Sequence, residues 1–213
     1  MTRLEILERV RGNLYDTGMD HWETYDLHTA IQDGYEEVAV FTQCIETVGT
    51  LNLVGNLSWY KMTDYFSDYF RIVAMWNNQT NRWLEPIAVS ELGAWHERWE
   101  TQNGEPAFFS PVGLEYVALC KKPATTTGSL LVFYASTADT LTDNDTPVIP
   151  PASHTVLEDY ATSILLDQAL EFSKASAYYE QYLGKIKNIV RDMNSRSLPD
   201  RLFTLAEVVG MIR

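Results

Sequence analysis

The sequence predicts an α+β fold: a helical layer of about four helices, an inserted antiparallel β subdomain and a C-terminal arm. Three observations predict it. Apolar residues recur at three- and four-residue spacing in residues 1–48, short β-branched and aromatic runs replace them over 49–138, and helical spacing returns over 139–195. The arm, residues 196–213, is set off by Pro199.

The first helix rests on Leu4, Leu7, Val10 and Leu14, with Thr2 and Glu5 as a capping box. The stretch 16–22, containing Gly18, ends it. A second helix is expected from about Tyr25 to Thr47, with Leu27, Ile31, Tyr35, Val38, Phe41 and Ile45 on one face. Gly34 inside it costs ~1 kcal/mol relative to alanine. The β region reads as LNLV, NLSWYKM, YFRIVAMW, RWLEPIAV, PAFFSPV, LEYVALC and SLLVFYAS, enough for five or six strands. NNQTN (77–81) joins two runs as a hairpin, and KKPATTTG (121–128) joins two more through a longer hairpin loop. SELGAWHERWE (90–100) is expected to form one short helix.

DTLTDNDTPVIPPASHTVLEDYA (139–161) marks the return to helix. Its Asp, Asn, Thr and Pro residues favour turns, Ser153 stands at the N-cap position, and Glu158 and Asp159 complement the helix dipole. Asp139, Asp143 and Asp145 crowd together, but the glycine and distal glutamate of a calcium hand are missing. The segment reads as a joint. Beyond it, Val156, Leu157, Tyr160, Ala161, Ile164 and Leu165 form one apolar face, and Tyr178, Tyr182, Ile186, Ile189, Val190 and Met193 another. An unbroken helix over 152–194 would be ~64 Å long at 1.5 Å per residue, so a bend is expected near 168–173.

Composition narrows the function. The chain has 213 residues, 46% hydrophobic, which suffices for a core. No run approaches the ~20 apolar residues of a membrane span and no leader is seen, so a soluble protein without membrane contact is expected. Cys44 and Cys120 lie in apolar runs and are expected as free thiols. Sixteen basic against 29 acidic residues give a net charge of −13, concentrated towards the N-terminus. Such a surface repels phosphate over a Debye length of ~8 Å. Tight DNA binding is therefore excluded, but an acidic wall that DNA slides past is not.

No enzyme signature emerges. His21 and His28 are too far apart to chelate one ion, HERW at 96–99 lacks the second histidine of a zinc protease, and His154 reads as a turn residue. Nucleophile elbow, Walker loop and dinucleotide fingerprint are all absent. No catalytic, cofactor-binding or metal residue is assigned. WYKMTDYFSDYF (59–70) reads either as a sugar-stacking platform or as β core plus a subunit contact made by Trp59, Tyr60, Tyr65, Phe66, Tyr69 and Phe70. In the arm, Leu202, Phe203, Leu205, Val208, Val209, Met211 and Ile212 carry more apolar surface than a solvated tail would keep, so they are expected to fold back on the core or to dock on a partner.

The order of these pieces resembles the head–tail adaptors, or connectors, of tailed bacteriophages. AIQDGYEEV (30–38) matches their D-G-Y step in the N-terminal helical pair. GEPAFFSPVGLEYVALCKKPATTTGSLLVFYAS (104–136) matches their β segment, and DTLTDNDTPVIPPASHTVLEDYATSILL (139–166) the turn and helix that follow. WYKMTDYF departs from the Tyr-x-Leu-Pro of relatives, Met62 and Thr63 standing in for that turn. The resemblance implies a structural virion protein of the neck, made in the host cytoplasm, without cofactors. It would form a homo-oligomeric ring, usually of twelve copies, between the portal protein and a tail or nozzle protein, and DNA would pass through it without tight binding. The rival reading is a binding module, for carbohydrate or protein, with a β domain on a helical stalk.

Overall fold

The structure, a computed structural model, describes residues 1–196 apart from 17, 19, 96, 97 and 127. In chain order, α1 (Arg3–Asn13) and α2 (Thr24–Thr42) precede β1 (Glu46–Asn52), β2 (Trp59–Lys61), β3 (Tyr69–Asn77), β4 (Arg82–Trp83) and β5 (Glu85–Pro86). Then come α3 (Val89–Trp95), β6 (Phe108–Val112), β7 (Tyr116–Cys120), β8 (Ser129–Ser136), α4 (Thr155–Gln168) and α5 (Phe172–Arg196). The fold is α+β. Two compact units divide it: Met1–Cys44 with the chain from Asp139 onward, and Ile45–Ala138.

In the helical unit, Thr2 and Glu5 form the expected capping box. The buried face of α1 is Ile6, Leu7 and Val10, while Leu4 stands 44% exposed. Helix α2 stops at Thr42, short of the expected Thr47. Gln43 turns into the left-handed region (φ 51°) and its N–H bonds back to Ala39, so Ile45 already belongs to the β unit. Gly34 has a packing reason. A Cβ there would lie 2.7 Å from Cδ1 of Tyr160, so the missing side chain lets α4 approach α2. The bend between α4 and α5 falls within the expected stretch, with Leu170 at φ 62° and the Glu171 N–H bonded to the Leu166 carbonyl.

The aspartate-rich segment is stitched to both N-terminal helices. The Arg3 and Leu4 amides donate to the Asp145 and Asp143 carbonyls, and Arg3 Nη2 meets Asp143 Oδ1 at 2.5 Å. Gln32 of α2 donates to the Asp139 carbonyl and accepts the Leu141 N–H; Tyr35 accepts the Val148 N–H. The expected N-cap shifts by one residue. Pro151–Ser153 is a 3-10 turn, and His154 occupies the cap position with helical backbone angles and no side-chain cap bond. Glu158 stands in the first turn of α4, as expected, and it and Asp159 are buried, pairing with Arg9 (3.3 Å) and Lys185 (2.5 Å).

Among the described residues the β unit has eight strands, not five or six, in two four-stranded sheets ordered β1-β8-β3-β4 and β2-β7-β6-β5. Strands of two or three residues show no period-2 pattern, which hides them from a sequence reading. Leu84, buried between β4 and β5, is where the chain changes sheets. The sheets are not wholly antiparallel, since β5 pairs with β6 in parallel. NNQTN does form the β3–β4 turn, its Asn77 Oδ1 accepting the Gln79 and Thr80 amides. The stretch 121–128 is no hairpin loop, because β7 and β8 lie in different sheets. Between the sheets sit Leu51, Tyr60, Phe66, Met75, Phe109, Val117, Leu119, Val132 and Tyr134. Gly49 makes room for this core: a Cβ there would fall 2.2 Å from the Phe66 ring, which stacks on Tyr134 at 4.9 Å.

Candidate interaction surfaces

Among the described residues, no group of three or more His, Cys, Asp or Glu is placed to hold a metal ion. His21 lies edge-on to Trp22, and its N–H is one of three backbone donors to Asp16. Burial works to raise the Asp16 pKa, but those three donors and the Arg11 guanidinium at 3.1 Å outweigh it and hold the carboxyl below its ordinary range. Burial, reinforced by Arg3, pushes His28 down against the pull of Asp143, 3.4 Å away. His154 is fully buried, with Nδ1 on the Met1 amine (2.8 Å) and Nε2 on the Ile149 carbonyl (3.1 Å). His96 lies outside the described residues. The carboxylates and imidazoles described here are tied to local structure.

The aromatic run 59–70 divides. Tyr60, Phe66 and Tyr69 are core residues, so neither a sugar platform nor a subunit contact has all six rings to use. Tyr69 and Phe66 flank Tyr134, whose hydroxyl donates to Asp68 (2.8 Å) and whose pKa burial and Asp68 raise to about 12. Trp59 packs on Trp99, 5.7 Å between ring centroids. Tyr65 is 41% exposed and Phe70 half-buried. Leu202, Phe203, Leu205, Val208, Val209, Met211 and Ile212 lie outside the described residues.

Two surfaces that the sequence reading missed each gather several exposed or half-buried apolar residues. The first is the outer face of the β1-β8-β3-β4 sheet. Its register aligns Val48 with Phe133 and Ala74 in one row, and Thr50 with Leu131, Trp76 and Trp83 in the next. A register shift between Ile72 and Ala74 leaves Val73 as an extra residue, 51% exposed, while Val48 across β8 is 47% exposed. Trp83 lies 5.2 Å from both Trp76 and Phe133, between ring centroids. The second surface is on α5. Its buried face is Ala175, Tyr182, Ile186 and Ile189, yet Phe172, Tyr179 and Leu183 form another stripe and remain exposed. Phe172 and Tyr179 edge a groove of about 200 Å³ floored by Ile164 and Ala175, with Asp167 at its rim.

A signal for both was present. YFRIVAMW and SLLVFYAS are apolar at odd and even positions, as strands covered on both faces are, and α5 is apolar at two helical phases.

Charge separates the units. The helical unit holds 20 acidic and 10 basic residues, net −10, and the β unit nine and six, net −3. Among the described residues, no helix is long and apolar enough to cross a membrane.

No curated protein matches the chain. The profile of a family described as SU10 adaptor protein matches residues 1–202. Membership implies a structural virion protein that binds portal and tail proteins, in a family that is not one of enzymes. The chain belongs to the SU10 adaptor proteins, a family of phage head–tail adaptors.

Proposed function

We propose that this protein forms a ring, of twelve copies, between the portal and the tail of the virion, and that DNA passes through it without tight binding. It is made in the host cytoplasm and assembles in the neck. The observation that carries the reading is family membership over nearly the whole chain. Exposed apolar faces on both units support a chain that works beside copies of itself. The −10 balance of the helical unit suits the lumen or its rim, because like charge keeps passing DNA from adhering. The segment 202–213 is the arm that docks on the portal, and Lys185, Lys187, Arg191, Arg196 and Arg201 lead into it with charge fitted to an acidic receiving surface.

The portal of the same phage provides the test. Native mass spectrometry of portal mixed with full-length chain is expected to show twelve adaptors per portal ring, and a chain ending at Arg201 is expected to stay folded and not bind. Any other stoichiometry overturns the ring of twelve. Unchanged affinity of the shortened chain overturns the arm. A channel lined mainly by Lys and Arg overturns the reading of the acidic surface.

A further inference from the structure

Each unit of the chain has one apolar face that is covered and another with residues that stand exposed. The outer face of the β2-β7-β6-β5 sheet is covered by α3 and the turn after it, through Leu92 and Trp99 on Ala118 and Cys120. The outer face of the other sheet bears Trp76, Trp83, Leu131 and Phe133 with Val48 and Val73, the last two about half exposed. In the helical unit, α5 buries Tyr182 and Ile186 but leaves Phe172, Tyr179 and Leu183 exposed.

We infer that these two faces are partners between copies: the Phe172, Tyr179 and Leu183 stripe of one copy packs on the Trp76, Trp83 and Phe133 sheet face of the next. This rests on the ring reading and names the surfaces that would build it. The occupant is a second copy of this chain for three reasons. A two-fold contact would use one face twice and leave the other bare, whereas a head-to-tail contact uses both and, where the rotation per copy closes, builds the ring. Sizes also agree. From Phe172 to Leu183 the helix runs about 17 Å at 1.5 Å per residue, and four strands span about 14 Å between their outer axes. Helix-on-sheet packing is, moreover, how this chain covers its other sheet, with Leu92 of α3 fully buried. Charge is complementary at the margins, where Glu46 on the sheet and Lys187 on α5 are exposed and opposite in sign.

Virions carrying Val73→Cys and Leu183→Cys in one chain, in a Cys44→Ser background, are treated with a short bis-maleimide and resolved on a denaturing gel. The expected result is a ladder of cross-linked adaptors extending beyond the dimer, with each single-cysteine variant staying monomeric. Dimers from either single variant would show a two-fold contact and overturn the inference. So would an internal cross-link, or monomers only from particles whose neck holds its full ring; in that last case the ring reading stands and this contact does not. Particles without a ring defeat both. A second measurement guards against variants that do not assemble. Purified Val73→Glu and Leu183→Glu chains are each expected to self-associate at least tenfold more weakly than wild type, yet to form a 1:1 complex when mixed, since each keeps the face the other lacks. Failure of the mixture to associate at concentrations where wild type does overturns the inference.

Discussion

The two sheets of the β unit share one core but differ on their outer faces. On the β2-β7-β6-β5 sheet that face is finished within the chain: Leu92 is fully buried, Trp99 is 7% exposed, and Trp59, Ile87 and Phe108 pack around them. On the β1-β8-β3-β4 sheet comparable aromatic mass is gathered and left half-buried, with Val48 and Val73 about half exposed. Burying a large apolar side chain gains about 1.5–3 kcal/mol. The first face therefore contributes to the stability of the monomer. The second contributes less of that free energy to the monomer.

The largest expected effect tests that contrast directly. Leu92→Asp places a charge under α3 with no partner and is expected to lose at least about 4 kcal/mol, enough to unfold the β unit. Val73→Asp, the same kind of change on the bare face, is expected to stay within about 0.5 kcal/mol of wild type. Urea denaturation of both checks this. A comparable loss at Val73 would mean that its face is already covered in the folded monomer, and the comparison would fail.

Next in size is a contrast between a covered and an open charge. Asp16 and Asp143 both hold lowered pKa values, Asp16 through three backbone N–H donors and Arg11 against the opposing effect of burial, Asp143 chiefly through the Arg3 side chain. A carboxyl whose folded pKa is depressed contributes stability above its unfolded pKa of about 3.9, and that contribution is lost as pH falls through the folded value. Asp16→Asn is therefore expected to lower Tm near pH 7, with the gap to wild type closing below about pH 4. Asp143→Asn should give the same shape with a smaller gap, because Asp143 is 53% exposed and Asp16 only 7%. Melting curves from pH 2 to 7 decide it; a gap for Asp16→Asn that stays constant across that range removes the electrostatic account.

How much was legible follows the same division. Local chemistry was readable where one residue decides the outcome. The Thr2–Glu5 box, the Asn77 turn and the break between α4 and α5 all stand where local sequence puts them. Pairing between distant strands was not. That 121–128 crosses between sheets depends on β8 joining β1 and β3, partners far away in sequence. The aromatic run 59–70 left core and contact undivided, and the structure puts Tyr60, Phe66 and Tyr69 in the core, Phe66 filling the space that Gly49 leaves. Trp76, Trp83 and Phe133 stand on an outer face that their runs did not mark, since a strand apolar on both sides does not say which side folding will cover.

The smallest effects come from one substitution made at two glycines of the helical unit. Gly34 in α2 faces the Tyr160 ring, and an added methyl would sit 2.7 Å from Cδ1 and 3.1 Å from Cγ. Those atoms lie near the root of a side chain already wedged against Tyr182, with ring centroids 5.1 Å apart, so the ring has little room to retreat. Gly34→Ala is expected to force α2 and α4 apart and to cost about 1–3 kcal/mol, more than the ~1 kcal/mol that helix propensity returns. Gly184 in α5 has ordinary helical surroundings, and a Cβ there would meet nothing within 4 Å. Gly184→Ala is expected to stabilise by about 0.5–1 kcal/mol, the propensity gain alone. Urea midpoints of the two variants should therefore move in opposite directions. If both rise, α4 does not press on α2 as described, and the covered face of the helical unit is looser than that of the β unit.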